Sequence, residues 1–121
     1  MPTALVTHLL QPDPSGVADL LADDVRFSSP FADYAGRDRI SGLFAVIPEV
    51  FDELEPRREL TGADPSEVAT VLHGRVGEHA LDAVIDERYA ADGRVAEVMV
   101  LLRPLPAVEE AIRRMGRLLA G

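Results

Sequence analysis

The chain contains no cysteine among its 121 residues, which rules out disulfides, thiol nucleophiles and thiolate-bound zinc. Histidine is scarce as well. His8, His73 and His79 lack the HExxH spacing that sets two imidazoles on one helix face, so no metal is expected. There is no basic stripe either, with 12 basic residues against 21 acidic ones and a formal net charge of −9. That field repels phosphate backbones and anionic lipid, and it argues against nucleic-acid and membrane partners. Long apolar runs are also missing. The longest aliphatic stretch, Val98 to Leu102, is far too short for a membrane span, and the first residues have no basic flank leading into an apolar segment. A cytoplasmic protein is the expectation.

What is present points to one folded domain over residues 1–121. Apolar residues make up 47% of the chain, and no low-complexity tract, internal repeat or linker interrupts them. Leu5, Val6, Leu9 and Leu10 have helical spacing within the first ten residues. Asp13-Pro14 reads as a cap followed by proline in the first turn, which predicts a second helix over 14–22 with Val17, Leu20 and Leu21 inward. Val25 and Phe27 then alternate with Arg26 and Ser28, the period of a half-buried strand, and Pro30 stops it near Ser29. Gly36 supplies a turn, and Ile40, Leu43, Phe44 and Ile47 line one side of a helix that Pro48 interrupts. Residues 49–54 are read as one more helical turn.

Strand patterns follow at 57–61, 67–76, 80–90 and 94–103, separated by turn formers such as Asp92-Gly93, and such short links join antiparallel neighbours. In the last strand Val98, Val100 and Leu102 share one face, while Val95, Met99 and Leu101 share the other. Apolar residues on both faces predict a curved sheet with helices on one side and a partner on the other. After Pro104 and Pro106, the apolar residues of 108–119 form a stripe on a closing helix. It either covers a pocket or packs on a second subunit.

Several of these pieces, in this order, resemble the nuclear transport factor 2-like superfamily, and within it the SnoaL-like and ketosteroid-isomerase-like proteins. They are Ala22-Asp23-Asp24, Ser29-Pro30-Phe31, the Gly36-Arg37-Asp38 turn, Asp92-Gly93-Arg94-Val95 and Leu101-Leu102-Arg103-Pro104, covering about residues 4 to 104. The resemblance implies an α+β cone, a curved antiparallel sheet wrapped around N-terminal helices with a helix at the C-terminus. It also implies a ligand cavity without a cofactor and a homodimer formed through the sheet.

Strand alternation sets Asp86 on one face with Val84 and Asp82, and His73 on one face with Val71 and Ala69. The resemblance implies that Asp86 is the buried acid that donates a hydrogen bond to a developing oxyanion. A carboxylic acid desolvated in an apolar pocket can stay protonated and do this. His73 on the neighbouring strand is similar to the base or orienter of SnoaL-like polyketide cyclases. The plainer reading pairs Asp86 with Arg88 or Arg75 and leaves His73 bonded to backbone. Phe27, Ser29, Tyr34, Leu43, Phe51, Val71, Val84, Val98 and Val100 are the expected ligand-binding wall. Two departures stand out. Ser29 occupies the place of the ketosteroid isomerases' proton-abstracting aspartate, and Leu5 the place of their oxyanion tyrosine, so steroid-type isomerisation is disfavoured. The expected function is binding of a small apolar, carbonyl-bearing molecule, with isomerase- or cyclase-type proton transfer by Asp86 and His73. The competing reading is a non-catalytic binding or dimerisation module.

Overall fold

The structure is a computed structural model that describes residues 2–121, with Met1 outside them. Helix α1 is Ala4–Leu10, β1 is Leu21–Ser28, β2 is Asp33–Ala35 and α2 is Arg37–Val46. Strands β3 (Glu53–Thr61), β4 (Glu67–Val76), β5 (His79–Tyr89) and β6 (Val95–Arg103) follow, and α3 is Leu105–Ala120. The strands form one sheet in the order β2-β1-β6-β5-β4-β3. Strands β3 to β6 make an antiparallel meander, and β1 closes onto β6 in parallel. The α+β architecture is the one the sequence implied.

Local chemistry explains each boundary. Thr3 caps α1, its hydroxyl accepting from the Val6 amide at 3.2 Å, and Leu5, Val6 and Leu9 are buried. The helix expected over 14–22 is reduced to a single 3₁₀ turn at Ala18–Leu20. Asp13 caps a tight turn instead of a helix, with its carboxylate accepting from the Ser15 amide at 2.9 Å and its carbonyl from Gly16. Gly16, at φ 82°, then turns the chain in a conformation no helix uses. Leu21, read as the end of that helix, is instead the first residue of β1 and fully buried.

Pro30 ends β1 as expected, and the chain returns through β2, a short strand the sequence did not announce. Pro48 converts the end of α2 into a 3₁₀ turn at Ile47–Glu49. Residues 53 and 54, read as helical, already belong to β3, which also starts earlier than the predicted 57. Strands β4 to β6 fall within a residue of the pattern, and α3 begins at Leu105, three residues before the expected stripe.

All three helices pack on one face of the sheet. Inner positions are Leu72 and Val76 on β4, Leu81, Ala83, Ile85 and Glu87 on β5, and Val98, Val100 and Leu102 on β6. The outer face carries two ionic rows, one running His73, Asp82, Arg103 and the other Glu67, Arg88, Glu97. Between them lie Leu60, Met99 and Leu101, 51%, 41% and 52% exposed, with Asp86 between Ala69 and Met99.

Candidate functional site

The sheet and helices enclose a cavity of about 80 Å³ that reaches the surface at one end. Its floor is the inner face of the meander, Leu54, Leu72, Ala83, Ile85, Val100 and Leu102. One wall comes from Phe27 and the turn into β2, with Ser29, Phe31 and Tyr34, and a second from Leu43, Phe44, Ile47, Val50 and Phe51. Helix α3 lies across the cavity with Val108, Ala111, Ile112 and Met115, the first of the two placements the sequence left open, while Leu105, Leu118 and Leu119 stay exposed. Phe31 and Ile112 line the cavity and are also exposed, so they mark the mouth.

The aromatic wall is built by contact. Phe27 stacks on Tyr34 with centroids 5.9 Å apart and meets Phe44 at 5.2 Å, and the Arg39 guanidinium sits over the Tyr34 ring at 5.1 Å. Helix α3 is fastened by Arg114, which donates to the Val50 carbonyl at 3.0 Å and to both Asp52 carboxylate oxygens at 3.1 Å. That guanidinium, with the Gly77 amide donating to Asp52 at 2.7 Å, holds the Asp52 carboxyl below the usual range.

The expected ligand-binding residues divide. Phe27, Ser29, Tyr34, Leu43, Phe51 and Val100 line the cavity. Val98 is buried in the core beside Phe27. Val71 and Val84 lie on the outer face as cross-strand partners, and Val84 also pairs with Leu101.

The expected catalytic pair requires a correction of placement. Asp86 and His73 do share a face, as alternation required, but it is the outer face. Asp86 lies in a groove with Arg26, Ser28, Glu67, Arg88, Glu97 and Met99. The His73 side chain is 48% exposed, with Nε2 3.5 Å from Asp82 Oδ1. In register His73 faces Asp82 while Asp86 faces Ala69, so four residues, roughly 14 Å of strand, separate the pair. Helices cover the Leu81, Ala83, Ile85 face, and every neighbour in the strand therefore points away from the cavity.

Sequence reasoning passed over Glu87, which is fully buried on the inner face beneath α1. The Thr3 and Tyr89 hydroxyls donate to its two carboxylate oxygens at 2.6 and 2.8 Å. Burial pushes its carboxyl above the ordinary range, and the two hydroxyls pull against that shift. Burial and the bond to Glu87 also push the Tyr89 phenol upward. Thr3 thus caps α1 and ties it to the sheet at once. Glu87 is not part of the cavity wall. Its alternation with Leu81, Ala83 and Ile85 was the available signal. His8, also buried, spends both ring nitrogens locally. Its Nδ1 accepts from the Asp13 amide at 3.1 Å, which leaves Nε2 to donate to the Phe44 carbonyl at 2.9 Å.

A SnoaL-like domain model matches residues 3–103. A steroid delta-isomerase from Pseudomonas aeruginosa is similar in structure with a TM-score of 0.90 and 32% sequence identity, over 95% of this chain and 85% of that one. An uncharacterised bacterial protein with a cystatin-like fold, from Silicibacter pomeroyi, reaches 0.83 at 24% identity, over 94% and 84% of the two chains. A de novo designed protein with a curved β-sheet reaches 0.69 at 14% identity, over 90% and 92%, a likeness of fold alone. No curated protein sequence matches. With a family model spanning most of its length and the curved sheet and helices in place, the chain belongs to the SnoaL-like domain family, within the nuclear transport factor 2-like fold.

Proposed function

We propose that the chain binds a small apolar molecule in the cavity between sheet and helices, without acid–base catalysis by Asp86 and His73. One observation carries this reading: among the described residues the cavity wall holds no ionisable group of the carboxylate or imidazole kind, and its only hydroxyl-bearing side chains are Ser29 and Tyr34. Isomerisation of the kind named for the Pseudomonas protein needs a base and an oxyanion donor at the ligand. Here Ser29 is neutral and bonded to Ala32, Leu5 is a buried hydrocarbon, and Asp86 faces outward. Concave, predominantly apolar sites with few polar groups are the usual form of small-molecule pockets. Titration with benzene, followed by methyl NMR, tests the assignment. Leu72, Val100 and Val108 shift on binding, and Asp86→Asn and His73→Gln leave the affinity unchanged. A tenfold loss of affinity in either variant would refute the placement of the site.

On the outer face we propose a second copy of the chain. The exposed Leu60, Met99 and Leu101 lie between the ionic rows with Asp86 among them, a largely apolar patch with a polar rim of the kind interfaces show. Sedimentation equilibrium of Leu101→Arg is the test. The parent sediments as a dimer and the variant as a monomer with unchanged benzene affinity, and a parent that is monomeric at high concentration removes the second copy.

A further inference from the structure

Ser29 and the Phe44, Ile47 and Val50 carbonyls, all on the cavity wall, already have partners. Ser29 Oγ donates to the Ala32 carbonyl at 2.8 Å and accepts from the Ala32 amide at 3.2 Å. The Phe44 carbonyl accepts from His8, the Ile47 carbonyl from the Val50 amide at 2.9 Å, and the Val50 carbonyl from Arg114 at 3.0 Å. The floor strands β4, β5 and β6 spend their backbone groups on one another. Tyr34 carries the remaining hydroxyl of the wall. It is half-buried, and its oxygen is not among the buried polar atoms left without a partner, so it meets solvent at the rim.

From this we infer that the buried part of the ligand is hydrocarbon, with no carbonyl, hydroxyl or ring nitrogen inside the cavity. The inference rests on the cavity-binding reading and narrows it, because it reverses the carbonyl-bearing ligand that the family resemblance implies. A polar atom carried past the mouth gives up its bonds to water, and on the floor it meets hydrocarbon side chains of strands whose backbone groups are paired with one another. The hydrocarbon surface of a ligand loses nothing on entry and gains contact with aliphatic and aromatic side chains. A ligand with a polar end is accommodated when that end stays at the mouth near Tyr34, Phe31 and Ile112 while the rest is buried.

Benzene and pyridine test this directly, having nearly the same shape and differing by one ring acceptor. Their dissociation constants are measured at neutral pH, from the same wall methyl resonances, on the parent chain and on Ala83→Ser, which places a hydroxyl on the cavity floor. Ile112→Thr serves as a second hydroxyl variant at the mouth. The expected result is benzene bound about tenfold or more tighter than pyridine by the parent, with the ratio narrowing in the hydroxyl variants. Equal affinities for the two ligands, or a ratio unmoved by both variants, overturn the hydrocarbon inference and leave cavity binding standing. If neither compound shifts any wall methyl, the cavity reading itself fails and the inference falls with it.

Discussion

Replacing Ala83 by leucine separates the cavity's contribution to stability from its contribution to binding. Ala83 is buried on the inner face of β5, and its cross-strand partners Leu72 and Leu102 also line the cavity of about 80 Å³. Leucine adds three carbons, and at about 0.8 kcal/mol per buried methylene their transfer from water is worth about 2.4 kcal/mol. Strain from an imperfect fit costs about 1 kcal/mol at the low end of the usual range. The low end applies because the carbons enter open space. A net gain of about 1 to 2 kcal/mol follows, or roughly 4 to 8 °C in Tm. The same carbons occupy the ligand's space. Saturating benzene, which at a hundredfold excess over Kd stabilises the parent by about 2.7 kcal/mol, gives Ala83→Leu no further stabilisation. Thermal denaturation with and without benzene reads both effects in one experiment. A variant that is destabilised by more than about 1 kcal/mol while binding benzene as the parent does would refute both the packing argument and the location of the site.

Glu87 links stability to pH. Burial raises its carboxyl, so its contribution to stability is complete below pH 4.5, the ordinary glutamate value, and is lost as pH rises through the folded value. Glu87→Gln binds no proton there, so its urea-derived stability relative to the parent improves steadily as pH rises through that window, and a difference independent of pH refutes the linkage. At Gly74 a β-carbon would collide with the backbone carbonyl of Glu53, and the Leu54 side chain is 3.0 Å away. Gly74→Ala therefore lowers stability by about 1 to 3 kcal/mol in urea denaturation, and an unchanged midpoint would show that β3 shifts freely. Arg114→Leu removes the bonds that hold α3 to Val50 and Asp52. Hydrogen exchange in α3 rises in that variant while exchange in β5 does not, and equal protection of α3 in both chains contradicts its fastening by this residue.

The fold was legible because most of it is local. Alternation in β4 to β6, the proline stops at Pro30 and Pro48, and the apolar stripe of α3 each follow from a few neighbouring residues. The errors came where distant contacts decide. Leu20 and Leu21 read as the end of a helix because their neighbours are helical in pattern, but Gly16 turns the chain and β6 offers Leu21 a parallel partner, Val95, that only the closed sheet brings near. The site was less legible for a related reason. Alternation says which residues share a face, and the helices, packing from elsewhere in the chain, say which face is inside. On β5 the composition contained the answer. Leu81, Ala83 and Ile85 form the apolar set and, of the three residues that alternate with them, Asp82, Val84 and Asp86, two are acids, so the cheaper burial turns both carboxylates outward. The resemblance pulled Asp86 inward against that preference. In the folded chain the cavity floor is hydrocarbon, and Glu87, the one inner-face acid on this strand, is spent holding α1. The family scaffold is therefore intact while Asp86 and His73 lie outside the cavity, and the proposed hydrocarbon binding rests on the same geometry that places Asp86 on the outer face.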